Sequence, residues 1–220
     1  MHVSINTLYR EAPLVTRLFL RVRSLITRYD DVSSELPTHG KLLDLGCGHG
    51  LLAFTLSLGD ERREVIAVDH DLGRVAIAES AALQLPVERR PKFEAADLRE
   101  RLSSFAPASL DGIAMIDVLH YFDRESQDKL IRDAARVLKP GGTLVMREVD
   151  SDAGARFVAN RLYERGATGV RFTKSTSQAL LFRGKTEWTN LLENAGLTTR
   201  SRRSGVAVFA DVLFVAKKRA

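Results

Sequence analysis

From Lys41 onward the chain alternates short runs of branched or leucine-rich residues with longer segments whose apolar positions recur at helical spacing. KLLDL, EVIAVD, KFEAAD, LDGIAMIDV and TLVMREV have the length and apolar density of buried strands. Between them lie LLAFTLSL, LGRVAIAESAALQL and DRESQDKLIRDAARVL; in the last, Leu130, Ile131, Ala134 and Leu138 share one face. LRERLSSFAPAS has room only for a short helix and a loop, and Lys139, Pro140, Gly141 and Gly142 stop the helix before the fifth strand. Strands that are apolar throughout and separated by helices predict a doubly wound α/β fold, its parallel sheet covered on both faces.

Two segments break this rhythm. Residues 11–29 place Leu14, Val15, Leu18, Val22, Leu25, Ile26 and Tyr29 on one stripe with Arg17, Arg21 and Arg28 opposite, an amphipathic helix ahead of the sheet. Residues 151–184 are far longer than an ordinary connection and contain a helical pattern, ARFVANRLYER, followed by the loop GATGVRFTKSTS; the length predicts a lid. TEWTNLLENAGL then reads as a last helix, and the remainder as two strands joined around Ser204 and Gly205. The expected organisation is one domain over 1–220: a helical cap (1–37), a core (38–150), a lid (151–184) and a closing helix with its strand pair (185–220).

Composition adds mainly exclusions. A chain of 220 residues, 45% hydrophobic and 28% charged, is ordinary for one globular domain. The net charge of +5 is dispersed, concentrating only in RSRRS (200–204) and the tail LFVAKKRA, so no nucleic-acid partner is expected. No run approaches the roughly 18 apolar residues of a membrane span, and MHVSINTLYREAP lacks the order of a signal peptide, which predicts a cytoplasmic protein. The single cysteine, Cys47, excludes an internal disulfide, and five scattered histidines show no metal-ligand spacing, so no metal is expected.

Candidate chemistry begins at Asp44-Leu45-Gly46-Cys47-Gly48-His49-Gly50, where a buried strand turns at once into a helix with a bare backbone. A dinucleotide fingerprint needs a third glycine where Leu51 stands, and the carboxylate of Asp44 would repel a pyrophosphate. A cofactor with a cationic part suits the turn better. Here the sequence resembles the class I S-adenosylmethionine-dependent methyltransferases, whose first motif is an acid followed by x-G-x-G-x-G. VIAVDHD, EAADL, IAMIDVLHYF and RVLKPGGTLVM follow in that family's order over residues 38–149.

The resemblance implies a seven-stranded, mostly parallel sheet with an antiparallel last strand, and S-adenosylmethionine as cofactor with S-adenosylhomocysteine as product. It implies cofactor contacts from Asp44, Gly46, Cys47, Gly48 and Gly50, with Cys47 a small turn residue. Asp69 would hold the ribose diol, His70 would line the adenine, and Asp97 with Leu98 would receive the adenine amino group. Asp117 and Val118 would lie under the sulfonium, and Tyr9 and Arg10 would close over the site. Asp71 reads as a helix cap.

The reaction implied is in-line displacement, in which a base is needed only if the acceptor must lose a proton. His120, following the fourth strand, and Glu148, ending the fifth, are the candidates for catalysis. Phe157, Val158, Leu162, Phe172, Leu180, Leu181 and Phe182 can wall an apolar pocket. The reading is O-methylation of a small, partly apolar acceptor: a phenolic, a quinone precursor or a lipid-like acid. The alternative is an RNA or protein methyltransferase, although IDVLHYF stands where nucleic-acid N-methylating enzymes carry an aromatic-proline tetrad. A silent scaffold would not need Asp44, Gly46, Gly48 and Asp69 together. A nicotinamide reductase is disfavoured by the glycine spacing and by Glu125, which stands where a lysine would follow Tyr121.

Overall fold

A computed structural model describes residues 5–154, 157, 180–206 and 209–219. Three helices lead the chain: α1 (Ile5–Leu8), α2 (Leu14–Thr27) and α3 (Tyr29–Ser33). There follow β1 (Gly40–Leu45), α4 (Leu51–Gly59), β2 (Arg63–Asp69), α5 (Leu72–Ala82), β3 (Lys92–Ala95) and α6 (Leu98–Ser104). The chain continues through β4 (Leu110–Ile116), α7 (Arg124–Val137), β5 (Leu138–Val149), α8 (Lys185–Asn194), β6 (Leu197–Arg203) and β7 (Asp211–Lys218). Apart from Phe157, the helical pattern ARFVANRLYER and its following loop lie outside the described residues, Val158, Leu162 and Phe172 among them.

The seven strands form one sheet in the order β3-β2-β1-β4-β5-β7-β6. β1 to β5 run parallel, and β7 is inserted antiparallel between β5 and β6. The expected doubly wound α/β sheet is therefore present. Both faces are packed: Leu43, Leu45, Ile113 and Met115 meet Leu130, Ile131 and Trp188 on one side, while Leu42, Ala67 and Ala114 meet Val32, Leu52 and Leu56 on the other. Strand order reverses between β1 and β4, which opens a crevice at the carboxyl ends of the strands.

α7 forms as its period predicts. Asp123 caps it by accepting the Ser126 amide at 2.7 Å, and Leu130, Ile131 and Ala134 are buried. The helix ends at Val137 and β5 begins directly at Leu138. Lys139 to Gly142 lie within this strand, where β4–β5 pairing slips from Leu110↔Leu138 to Gly112↔Thr143. The extra residues bulge outward, and Lys139 Nζ reaches both oxygens of Asp111 at 2.8 Å.

α2 is the amphipathic helix expected ahead of the sheet, shorter than residues 11–29. Pro13 precedes its first turn, and Arg28, at φ 53°, breaks the chain before Tyr29 starts α3. Its apolar stripe faces solvent: Leu14, Val15, Leu18 and Leu25 are each more than 60% exposed. The face turned inward carries Thr16, Leu20 and Thr27 instead, with Arg23 ion-paired to Asp117. What α2 covers is a charged strand end, and a charged partner satisfies that end better than leucines would. Among the described residues no helix is long and apolar enough to cross a membrane.

Candidate active site

The β1–α4 turn is built around three glycines at φ 87°, 55° and 86° (Gly46, Gly48 and Gly50). A Cβ on Gly46 would lie 2.5 Å from the Val118 side chain, and one on Gly50 would lie 2.7 Å from Phe93, so packing alone forbids side chains at both. Gly48 is different. Nothing lies within 4 Å of its missing Cβ, so the bare backbone there faces open space. The Gly46 and Cys47 amides both donate to the Val68 carbonyl, tying the turn to β2.

Asp69, at the end of β2, organises the same turn. Its Oδ2 accepts the Gly48 amide at 2.8 Å and its Oδ1 accepts the Asp71 amide at 2.9 Å. Asp71 caps α5 through the Gly73 and Arg74 amides, as expected. His70 is exposed, its Nδ1 3.4 Å from Asp69 Oδ1. Asp44 is buried beside this carboxylate with Oδ2 unpartnered, and no ion pair forms with it among the described residues. Burial, reinforced by the Asp69 charge, pushes the Asp44 carboxyl up to about 7.

Burial also lifts the Cys47 thiol well above its ordinary range, and Asp44 and Asp69 raise it further, which removes it as a nucleophile. Burial and then Arg74 hold His49 down at about 4, so it is neutral. Tyr9 is buried, packs edge-on against Phe54 and donates its hydroxyl to the His49 carbonyl at 2.6 Å. The N-terminal segment is thereby pinned to the glycine turn. Arg10, by contrast, is exposed and pairs with Glu11. Asp97 caps α6 through the Arg99 and Glu100 amides and pairs with the Arg99 guanidinium, whose hydrogen bonds hold the carboxyl down at about 2. Leu98 behind it is buried.

Across the crevice the charges are compensated. Asp117 directly follows β4 at φ 54°, a strained value for aspartate, and its Oδ2 accepts Arg23 at 2.6 Å and also Arg147. Arg147 reaches on to Asp211, completing a chain of two cations and two anions in which all but Arg23 are buried, while Asp117 Oδ1 is buried without a partner. Glu148 Oε1 accepts the Val118 amide at 3.0 Å and the Leu119 amide at 2.7 Å. Its Oε2 lies 2.7 Å from His120 Nδ1, and both side chains are buried. With a carboxylate at Nδ1 the ring proton sits there, which leaves Nε2 as the basic nitrogen. Phe182 stacks on the imidazole at 5.0 Å between centroids, and Tyr121 packs at 4.3 Å.

The structure therefore brings Asp44, Gly46, Cys47, Gly48, Gly50 and Asp69 into one turn, and Asp117, Val118, His120 and Glu148 into the facing wall, with Val118 touching both. It leaves Arg10 apart. Arg23, Arg147, Asp211, Gln127 and Arg183 were not anticipated. One signal was available: adjacent charges, Arg147-Glu148, inside the otherwise apolar strand TLVMREV. A cationic cofactor fits the cradle, because an unpartnered buried carboxyl oxygen and an uncompensated acid pair adjoin the open backbone of Gly48.

Comparison with known proteins agrees. Residues 42–142 match the family described as a methyltransferase domain. The chain is 32% identical over 142 residues to 27-O-demethylrifamycin SV methyltransferase of Amycolatopsis mediterranei, covering 62% of this chain and 50% of that protein. It is 30% identical over 149 residues to the ubiquinone biosynthesis O-methyltransferase of Xanthomonas oryzae, covering 63% and 59% respectively. The chain thus spans only half to three-fifths of the length of these curated relatives. Magnesium protoporphyrin IX methyltransferase from Synechocystis, solved with S-adenosylmethionine bound, superposes with a TM-score of 0.64 at 16% identity, over 87% of this chain and 78% of that one.

Proposed function

We propose, from the match of residues 42–142 to a methyltransferase domain, that this chain is a class I S-adenosylmethionine-dependent methyltransferase and methylates an oxygen of a small, partly apolar acceptor, such as a phenolic, a quinone precursor or a lipid-like acid. The observation that carries this reading is the buried His120–Glu148 pair on the wall facing the cofactor cradle. An acceptor that attacks as an amine or thiolate has little use for a base there, whereas a phenol or carboxylic acid must lose a proton. That both curated relatives carry O-methyl chemistry in their names supports the same direction.

In this reading the cofactor, when bound, would supply a methyl group activated by its sulfonium. Everything else falls to the chain. Asp69 and the glycine turn hold the ribose side, and the Asp44 carboxylate offsets the positive end. Phe182 and Tyr121 exclude water around His120. His120 Nε2 would hold the proton given up by the acceptor hydroxyl, and Glu148 would stabilise the resulting imidazolium. Two backbone amides fix Glu148, so it does not swing away as charge develops. Positioning within about 3 to 3.5 Å provides the rest of the acceleration.

The test supplies methyl-labelled S-adenosylmethionine with 3,4-dihydroxybenzoate, and separately with RNA, protein and organic-soluble extracts. Label is expected in a methyl ether of the catechol acid or in the organic fraction. Label confined to RNA or protein would overturn the small-acceptor reading.

A further inference from the structure

His120 is not held by Glu148 alone. The segment Leu180–Gly184 returns to the core beside it, and a buried polar knot fastens that segment. The Leu181 amide donates to the His120 carbonyl at 2.9 Å, and Phe182 lies nearly parallel to the imidazole, 23° apart. Gln127, fully buried on α7, directs its side-chain NH2 at the carbonyls of Leu119 (3.1 Å), Phe122 (3.1 Å) and Leu181 (2.8 Å). It thus bridges the loop that carries His120 to the segment that covers it.

Arg183 sets the orientation of that amide. Its Nε donates to Gln127 Oε1 at 2.6 Å, which turns the NH2 toward the three carbonyls. The rest of the guanidinium is anchored on the Arg124 carbonyl at 3.1 Å, Asp128 at 2.5 Å and Glu187 at 3.0 Å, and it stacks over Trp188. Arg124 in turn donates to the Phe182 carbonyl at 2.9 Å. A cation with this many partners is a rigid fixture.

We propose that Arg183, acting through Gln127, is a positioning residue for His120: it locks residues 180–184 against the base, so that Phe182 covers the ring and Leu181 fixes its backbone. The proposal rests on the reading of His120 as the proton acceptor. Its consequence for substrate is that the wall beside the base is an aromatic face of fixed position, suited to a planar acceptor.

The experiment uses the full chain labelled with nitrogen-15 histidine, in which loss of one of the five histidine signals on His120→Gln identifies the His120 ring. Arg183→Gln is expected to shift the His120 ring resonances and their titration midpoint, and to lower kcat with 3,4-dihydroxybenzoate by about tenfold with a displaced pH limb. S-adenosylhomocysteine affinity by calorimetry should stay within about twofold. Gln127→Leu should give the same shift, and the double variant should lose no more than either alone, as expected when two residues act as a unit. Ring signals and titration unchanged in folded Arg183→Gln would overturn the proposal. If Arg183→Gln does not fold, Phe182→Leu removes the covering ring while leaving the knot, and an unmoved His120 signal there overturns it equally. Failure of the underlying reading looks different: His120→Gln itself would retain full turnover.

Discussion

The two sides of the crevice solve the problem of buried charge in opposite ways. On the side of the glycine turn, Asp69 lies close enough to raise Asp44, with no arginine or lysine paired to either among the described residues. On the facing wall the aspartates are paired with cations: Asp117 and Asp211 share Arg147, and Arg23 completes the chain. Glu148 is held by amides and by His120. An uncompensated acid pair is unfavourable until a cation arrives, so binding energy is concentrated there. A compensated wall gains nothing from a cationic ligand, and its groups are free for the orientation and proton transfer proposed above.

Substitutions should split along this line, and the largest effect is expected at His120. His120→Gln should lower kcat by about a hundredfold or more while leaving S-adenosylhomocysteine affinity unchanged, since general-base contributions are typically of that order. Steady-state kinetics beside calorimetry checks it, and a matching loss of affinity would erase the division. Asp69→Asn should do the reverse, weakening cofactor affinity by roughly a hundredfold, or about 3 kcal/mol, through loss of a charged hydrogen-bond acceptor. Turnover at saturating cofactor should then be much less affected.

pH sharpens the comparison. Asp44 titrates near 7 in the folded chain against an ordinary 3.8, so the cofactor-free fold binds this proton more tightly than the unfolded chain. Its contribution is fully present below about pH 4 and is lost as pH rises through about 7. Thermal melts of the cofactor-free protein should therefore show this loss, and Asp44→Asn should flatten it. Cofactor affinity should move oppositely, rising up to about tenfold per pH unit below 7 as the carboxylate forms. An affinity flat from pH 5.5 to 7.5 would remove Asp44 as a partner of the positive group. The smallest effect belongs to the outer face of α2: Leu25→Ser should change stability by within about 0.5 kcal/mol in denaturant titration, because Leu25 is 76% exposed. Leu130→Ala on α7, wholly buried, should cost about 2 to 5 kcal/mol.

That last pair shows where the sequence can be read. α2 and α7 have equally clear helical periods, and both are helices. Only for α7 does the apolar stripe face the core. Period is a property of the local backbone, whereas the face a helix buries depends on what lies beneath it. Under α7 lies the apolar sheet; under α2 lies Asp117, for which Arg23 is the fitting partner.

The cofactor cradle was legible for the same local reason. Its acids and glycines sit within a few residues of strand ends, and tight turns, capping and close backbone approach depend on residue type at short spacing. The succession of strands and helices along the chain followed from the alternation of apolar runs with helical periods. The opposite wall was only partly legible. His120 and Glu148 stood out as chemistry at strand ends, but their contact spans 28 positions, and the Arg147–Asp211 link spans 64. Arg183 reaches Gln127 across 56 positions, through a segment whose covering role no local pattern announces. Residue type and short spacing thus determined the elements, their order and the acidic glycine turn. Which charges compensate one another, and which groups hold the candidate base, only the tertiary structure decided, because electrostatic pairing depends on distance in space rather than along the chain.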